Sequence, residues 1–160
     1  MSKIKYKITL NLILLFSILA LIFAYFVQYV MGHQPCKLCL IERIPFMLVI
    51  VIIGFCLLLK KLEKLSLIIL SLTFFSATLI SFYHFGIEQG FVIESLVCDI
   101  GVKNDILTKE ELLTQLKLRN INCKDVTFTI FGLSLATINI FVSLFLSVIT
   151  LKLFLDYEKN

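Results

Sequence analysis

Pro35-Cys36-Lys37-Leu38-Cys39-Leu40-Ile41-Glu42-Arg43-Ile44-Pro45 runs directly into an uncharged apolar stretch that ends at Leu59. The eleven residues set a Cys-x-x-Cys dithiol at the mouth of a hydrophobic run. The stretch from Ile44 to Leu59 is 16 residues, about 24 Å of helix at 1.5 Å per residue. A hydrocarbon core of roughly 30 Å asks for about another turn. Lys60 and Lys61 block extension at the far end, so the helix is expected to start near Leu40, which puts Cys39 at its N-terminus and at the membrane surface. Pro45 agrees with that start, because proline is accepted in a first helical turn. A helix starting at Pro35 would instead be kinked at Pro45.

Working outward, 59% of the 160 residues are hydrophobic and the mean hydropathy is +1.00, far more apolar than a soluble domain of this size. Ile8 to Met31, Leu65 to Tyr83 and Phe131 to Leu151 are further uncharged stretches near the roughly 20 residues a spanning helix needs. The expected fold is an all-α membrane protein, one integral domain over 1–160, with spans at about 8–31, 40–59, 65–83 and 131–151. Lys3, Lys5 and Lys7 resemble the start of a signal peptide. The 24 uncharged residues that follow exceed a signal's roughly 7 to 15, so a retained anchor is expected over a signal-anchor.

Short lysine-rich segments set the orientation. Lys3, Lys5 and Lys7, and Lys60, Lys61 and Lys64, belong on the cytoplasmic side, as do both termini. The loop 32–43 and the long loop 84–130 then face the opposite compartment. This topology accounts for the net charge of +4 and gives no reason to invoke nucleic acid.

Of five cysteines, Cys36, Cys39, Cys98 and Cys123 fall on the outward loops and Cys56 lies inside the second span. Disulfides persist in an oxidising compartment such as the periplasm. Four cysteines allow three pairings, of which one pair per loop, Cys36 with Cys39 and Cys98 with Cys123, is the expectation. Cys56 has neither charge nor a second cysteine beside it and reads as a small core hydrophobe. Half a zinc site is the other reading of Cys-x-x-Cys. Cys98 and Cys123 do not form a second such knuckle, so no metal is expected.

If the segment is helical, Cys36, Cys39 and Arg43 share one face. Arg43 can then stabilise a thiolate or donate to a carbonyl oxygen, or else be an interfacial residue with Glu42 as its partner. His84, in Tyr83-His84-Phe85-Gly86-Ile87-Glu88, stands on the same membrane face, as an interfacial anchor or a proton donor. Thr108-Lys109-Glu110-Glu111 reads as a capping box opening a short amphipathic helix with Leu112, Leu113 and Leu116 on one stripe. A disulfide across it would close 26 residues, worth roughly 3 kcal/mol as a structural staple.

The segment Pro35 to Pro45, Tyr83 to Glu88, and Cys123 followed by Phe131-Gly132-Leu133-Ser134-Leu135-Ala136 resemble the DsbB family of disulfide-bond-formation membrane proteins. The resemblance covers nearly the whole chain, including helix count and loop order. It implies a bacterial inner-membrane four-helix bundle that reoxidises a soluble periplasmic DsbA-type thiol oxidase and passes the electrons to ubiquinone or menaquinone. Carried over by motif, Cys98 takes the mixed disulfide, Cys123 resolves it, Cys36 exchanges with that loop pair, and Cys39 and Arg43 face the quinone, with His84 nearby. Phe128 and Lys124 depart from the common pattern. Two other readings remain: a vitamin K epoxide reductase-like enzyme, against which the Cys-x-x-Cys coming first argues, and a non-enzymatic four-span protein with structural disulfides.

Overall fold

The computed structural model describes residues 3–58, 63–93, 123–124, 128–130 and 132–158. Helix α1 (Lys3–Tyr29) is followed by a short α2 (Lys37–Ile41), α3 (Arg43–Leu58) and α4 (Glu63–Glu88). A two-stranded antiparallel ribbon, β1 (Thr129–Ile130) with β2 (Leu133–Ser134), leads into α5 (Leu135–Glu158). Four segments are long and apolar enough to cross a membrane: Tyr6–Tyr29, Lys37–Leu58, Lys64–Glu88 and Leu135–Asp156. The chain is a four-span helical membrane protein. The amphipathic helix expected from Thr108 lies outside the described residues.

Two of the ends that differ from the expected spans shape the site. The third helix continues past Tyr83 to Glu88, carrying His84 within it. It stops in a Schellman turn: the Gly90 N–H bonds the Ile87 carbonyl at 3.0 Å and the Phe91 N–H bonds that of Gly86 at 2.9 Å, with Gly90 at φ 75°. That turn lays Val92 against Gly86, where a Cβ would meet it at 2.9 Å. The last span starts later than Phe131, because Leu133–Ser134 pair as a strand across a tight connection holding Gly132 at φ 80°. Ser134 then caps α5, its hydroxyl accepting from the Thr137 N–H at 3.2 Å.

Lipid tails are as apolar as leucine, so close packing and hydrogen bonds hold membrane helices together. The contact between α4 and α5 is built accordingly, from buried Ser71, Ala77, Thr78 and Ser81 against Ala136, Ser143, Ser147 and Thr150. Ser71 donates to the Ser147 carbonyl at 3.4 Å and Ser147 returns the bond to the Ser71 carbonyl at 3.2 Å. Towards the lysine-rich end an apolar core joins Tyr6 and Leu10 of α1, Phe46, Val49 and Ile53 of α3, and Leu67, Leu70 and Phe74 of α4. Cys56 belongs to this core as a free cysteine, with Ser66 donating to its sulfur at 3.1 Å. The outer faces remain apolar: Phe141 and Phe145 of α5 are about two-thirds exposed, at 65% and 66%, which suits lipid and not water.

Candidate redox site

The site grows from the chain between α1 and α3. Cys36 is the N-cap of α2 in extended backbone (φ −67°, ψ 169°), and its sulfur accepts from the Cys39 N–H at 3.1 Å. The two sulfurs are joined as a disulfide. The helix thus begins three residues before Leu40, with Cys36 and not Cys39 at its cap. It is interrupted at Glu42, where Pro45 has no N–H to give the Ile41 carbonyl, so both consequences foreseen for Pro45 meet here.

Successive helical residues point about 100° apart, and the interruption uses that divergence. Glu42 turns inward and is 8% exposed; Arg43 turns towards α1. The guanidinium donates from Nη1 to Oε1 of Gln28 at 2.6 Å and lies 4.9 Å from the Tyr25 ring centroid, a cation–π contact. Glu42 is therefore placed away from Arg43, and the alternative in which the two pair does not hold. Its Oε1 is 2.8 Å from Nδ1 of His84, and its Oε2 accepts from the Asn139 amide at 3.2 Å. Asn139 also donates to Ser81 at 2.8 Å and accepts from Ser143 at 3.1 Å, which fixes the amide between α4 and α5.

His84 is buried, and its Nε2 lies 3.5 Å from Sγ of Cys36 and 3.7 Å from Oε1 of Glu88. Glu88 is anchored in turn by the Ser134 hydroxyl, which donates to Oε2 at 2.5 Å. The buried carboxylates of Glu42 and Glu88 and both ring nitrogens of His84 thus face polar partners, as burial of polar groups requires. Cys123 is also buried and packs in one cluster with Cys36, Leu38 and Ile87, with Cys39 and Tyr83 against it. Cys98 lies outside the described residues, and with it the expected pairing to Cys123.

These groups form the polar end of a cavity of about 420 Å³ between α1, α3 and α5. Cys36, Cys39, Arg43, His84 and Glu88 all line it; the remainder of the wall is mostly apolar, with Phe16, Leu19 and Phe23 from α1. The volume lies in the range of small-molecule sites. The His33 ring tilts against Phe128, centroids 5.3 Å apart, and both line the cavity. Donor atoms of Cys36, Cys39 and His84 fall within 4.8 Å of one another, but the sulfurs are bonded to each other and present no thiolate to a metal.

Sequence reading passed over Gln28, Glu88, Ser134 and Asn139. For Asn139 a signal existed: Asn139, Ser143 and Ser147 recur at every fourth residue in an otherwise apolar span, a polar stripe that must face protein.

A dithiol–disulfide pair at the polar end of an apolar cavity, in a four-span bundle, defines a membrane thiol oxidoreductase. The chain belongs to the DsbB family: the family model described as disulfide bond formation protein DsbB matches residues 6–153. An uncharacterized protein of Rickettsia prowazekii (strain Madrid E) is 32% identical over 162 residues, covering 99% of this chain and 93% of its own length. No solved structure matches.

Proposed function

We propose that the protein reoxidises a soluble periplasmic DsbA-type dithiol oxidase and delivers the two electrons to a membrane quinone, ubiquinone or menaquinone. It does so in the bacterial inner membrane, with both termini cytoplasmic and the cysteine loops periplasmic. The observation that carries this reading is the shared cavity wall, where the Cys36–Cys39 disulfide and the Arg43 guanidinium open onto one apolar space of quinone size. A bound quinone supplies an acceptor for two electrons and two protons.

The protein's part is exchange and positioning. Cys98 takes the mixed disulfide with the oxidase and Cys123 resolves it. A Cys123 thiolate then attacks Sγ of Cys36, with which it shares a buried cluster, and Cys39 leaves as thiolate beside the cavity. Arg43, held by Gln28 and Tyr25, is positioned to steady that thiolate and to donate to an acceptor oxygen.

Purified protein, a reduced DsbA-type oxidase and a soluble ubiquinone analogue provide the test. Quinol should form in step with loss of two thiols from each oxidase molecule. An oxidase that stays reduced while the quinone spectrum is unchanged would reject the reading.

A further inference from the structure

We propose that His84 is the acid–base catalyst for the Cys36 sulfur, with Glu42 orienting it, so that this family site contains a Cys–His–Glu relay. The inference rests on the thiol-exchange reading above but on neither the quinone nor the soluble partner.

The geometry has the three parts a nucleophile, its base and the base's orienting group require. Nε2 of His84 stands 3.5 Å from Sγ of Cys36, and Nδ1 is 2.8 Å from Oε1 of Glu42. With Glu42 holding Nδ1–H, the Nε2 lone pair is the one left facing sulfur. Asn139 secures Oε2 of Glu42, so the carboxylate cannot swing towards the cavity without losing that bond. The opposite protonation state is provided for as well. Glu88, on His84's own helix, lies 3.7 Å from Nε2, and the backbone of Cys123 hydrogen-bonds the imidazole. The groups facing the ring are thus Glu42 from the α2–α3 interruption, Glu88 from α4 and Cys36 from the first loop, while Asn139 of α5 and Ser134 of β2, both neutral, hold the two carboxylates.

When a Cys36–Cys123 mixed disulfide is resolved by attack of a second thiolate on Sγ of Cys123, the Cys36–Cys123 bond breaks and Cys36 leaves with the electron pair. Nε2–H then donates its proton to Cys36. In the reverse exchange Nε2 takes the Cys36 proton and the Cys36 thiolate attacks Sγ of Cys123 in its disulfide with the second thiol. That disulfide bond breaks and the second thiol leaves with the electron pair, while the proton passes from His84 to Glu88, both in the cavity wall. Among the described residues the Cys39 sulfur has no such hydrogen-bonding partner. The relay therefore makes the two cysteines unequal.

Reduced protein in detergent, without quinone or partner, is alkylated with iodoacetamide between pH 5 and 9, and the rates at Cys36 and Cys39 are separated by peptide mapping. In the native protein Cys36 should keep a reactive fraction well below the range of a free thiol. His84→Gln should lower its rate at pH 6 by about 10-fold or more, the loss in thiolate fraction expected when a basic partner is removed. The Cys39 profile should hold within about 2-fold, which a collapsed site would not allow. Glu42→Gln, which keeps the shape of the carboxylate, should lower Cys36 in the same direction by a smaller factor. An unchanged Cys36 profile in either variant overturns the proposal, as does an equal change at both cysteines in Glu42→Gln. Failure of the quinone reading would leave these profiles as expected.

Discussion

Arg43 and Gln28 meet at 2.6 Å, tying the first residue of α3 to α1 across the cavity rather than to its sequence neighbour Glu42. A guanidinium needs its planar fork to hold Gln28 and still present hydrogens to the cavity. Lysine gathers its donors on one flexible atom and cannot span the two in a fixed plane. Arg43→Lys should raise the quinone KM about 10-fold, about 1.4 kcal/mol, and Gln28→Ala should give a smaller rise in the same direction, read in steady-state quinol formation.

The two cysteine pairs should fail separately. Cys39→Ser should stop quinone reduction while the oxidase is still trapped as a mixed disulfide. Cys98→Ser should block oxidation of the oxidase but leave a chemically reduced Cys36–Cys39 pair able to reduce quinone. Stopped-flow absorbance and thiol trapping read the two halves; normal oxidase turnover by Cys98→Ser would reject the assignment.

Ser134 has two tasks, capping α5 and holding Glu88. Ser134→Ala should cost about 1 kcal/mol for the cap. Leaving a buried carboxylate oxygen short of a donor adds about 1 to 3 kcal/mol. Thermal unfolding in detergent should show the sum, with Ser134→Thr recovering most of it.

The serine exchange between α4 and α5 leaves no room for a larger side chain. Ser147→Leu should destabilise the bundle by about 1 to 3 kcal/mol through overpacking, measured by unfolding in mixed micelles. The same change at exposed Val148 should be silent, since that position is 57% exposed.

Cys56 is far from this chemistry, in the core with Tyr6 and Ser66. Cys56→Ala should cost about 1 kcal/mol, the scale of one hydrogen bond, and leave turnover unchanged. A drop in quinol formation at equal folded fraction would reject a purely structural role.

The sequence revealed the four spans because charge is expensive in lipid: lysines bound the uncharged stretches wherever the chain turns at that end. The spacing of Cys36, Cys39 and Arg43 suggested one helical face; all three line the cavity, although the helix is interrupted at Glu42 between the second cysteine and the arginine. For Glu42, adjacency on the chain offers Arg43 as one possible partner, but successive helical positions diverge, and the carboxylate finds His84 and Asn139 on helices distant in sequence. Helix ends were the other weak point. The Schellman turn at Gly90 and the strand pair before α5 are decided by local backbone geometry, which hydropathy does not register.

The cavity's wall on α1 has a consequence for traffic. Phe16, Leu19 and Phe23 line the cavity and are 40%, 54% and 43% exposed, while the seam of α4 and α5 is closed by small residues and reciprocal bonds. One seam of the bundle is therefore sewn shut, and the cavity's α1 wall is made of oily side chains. An oil-soluble guest coming from the bilayer on that side would meet phenylalanine and leucine before the polar end of the cavity.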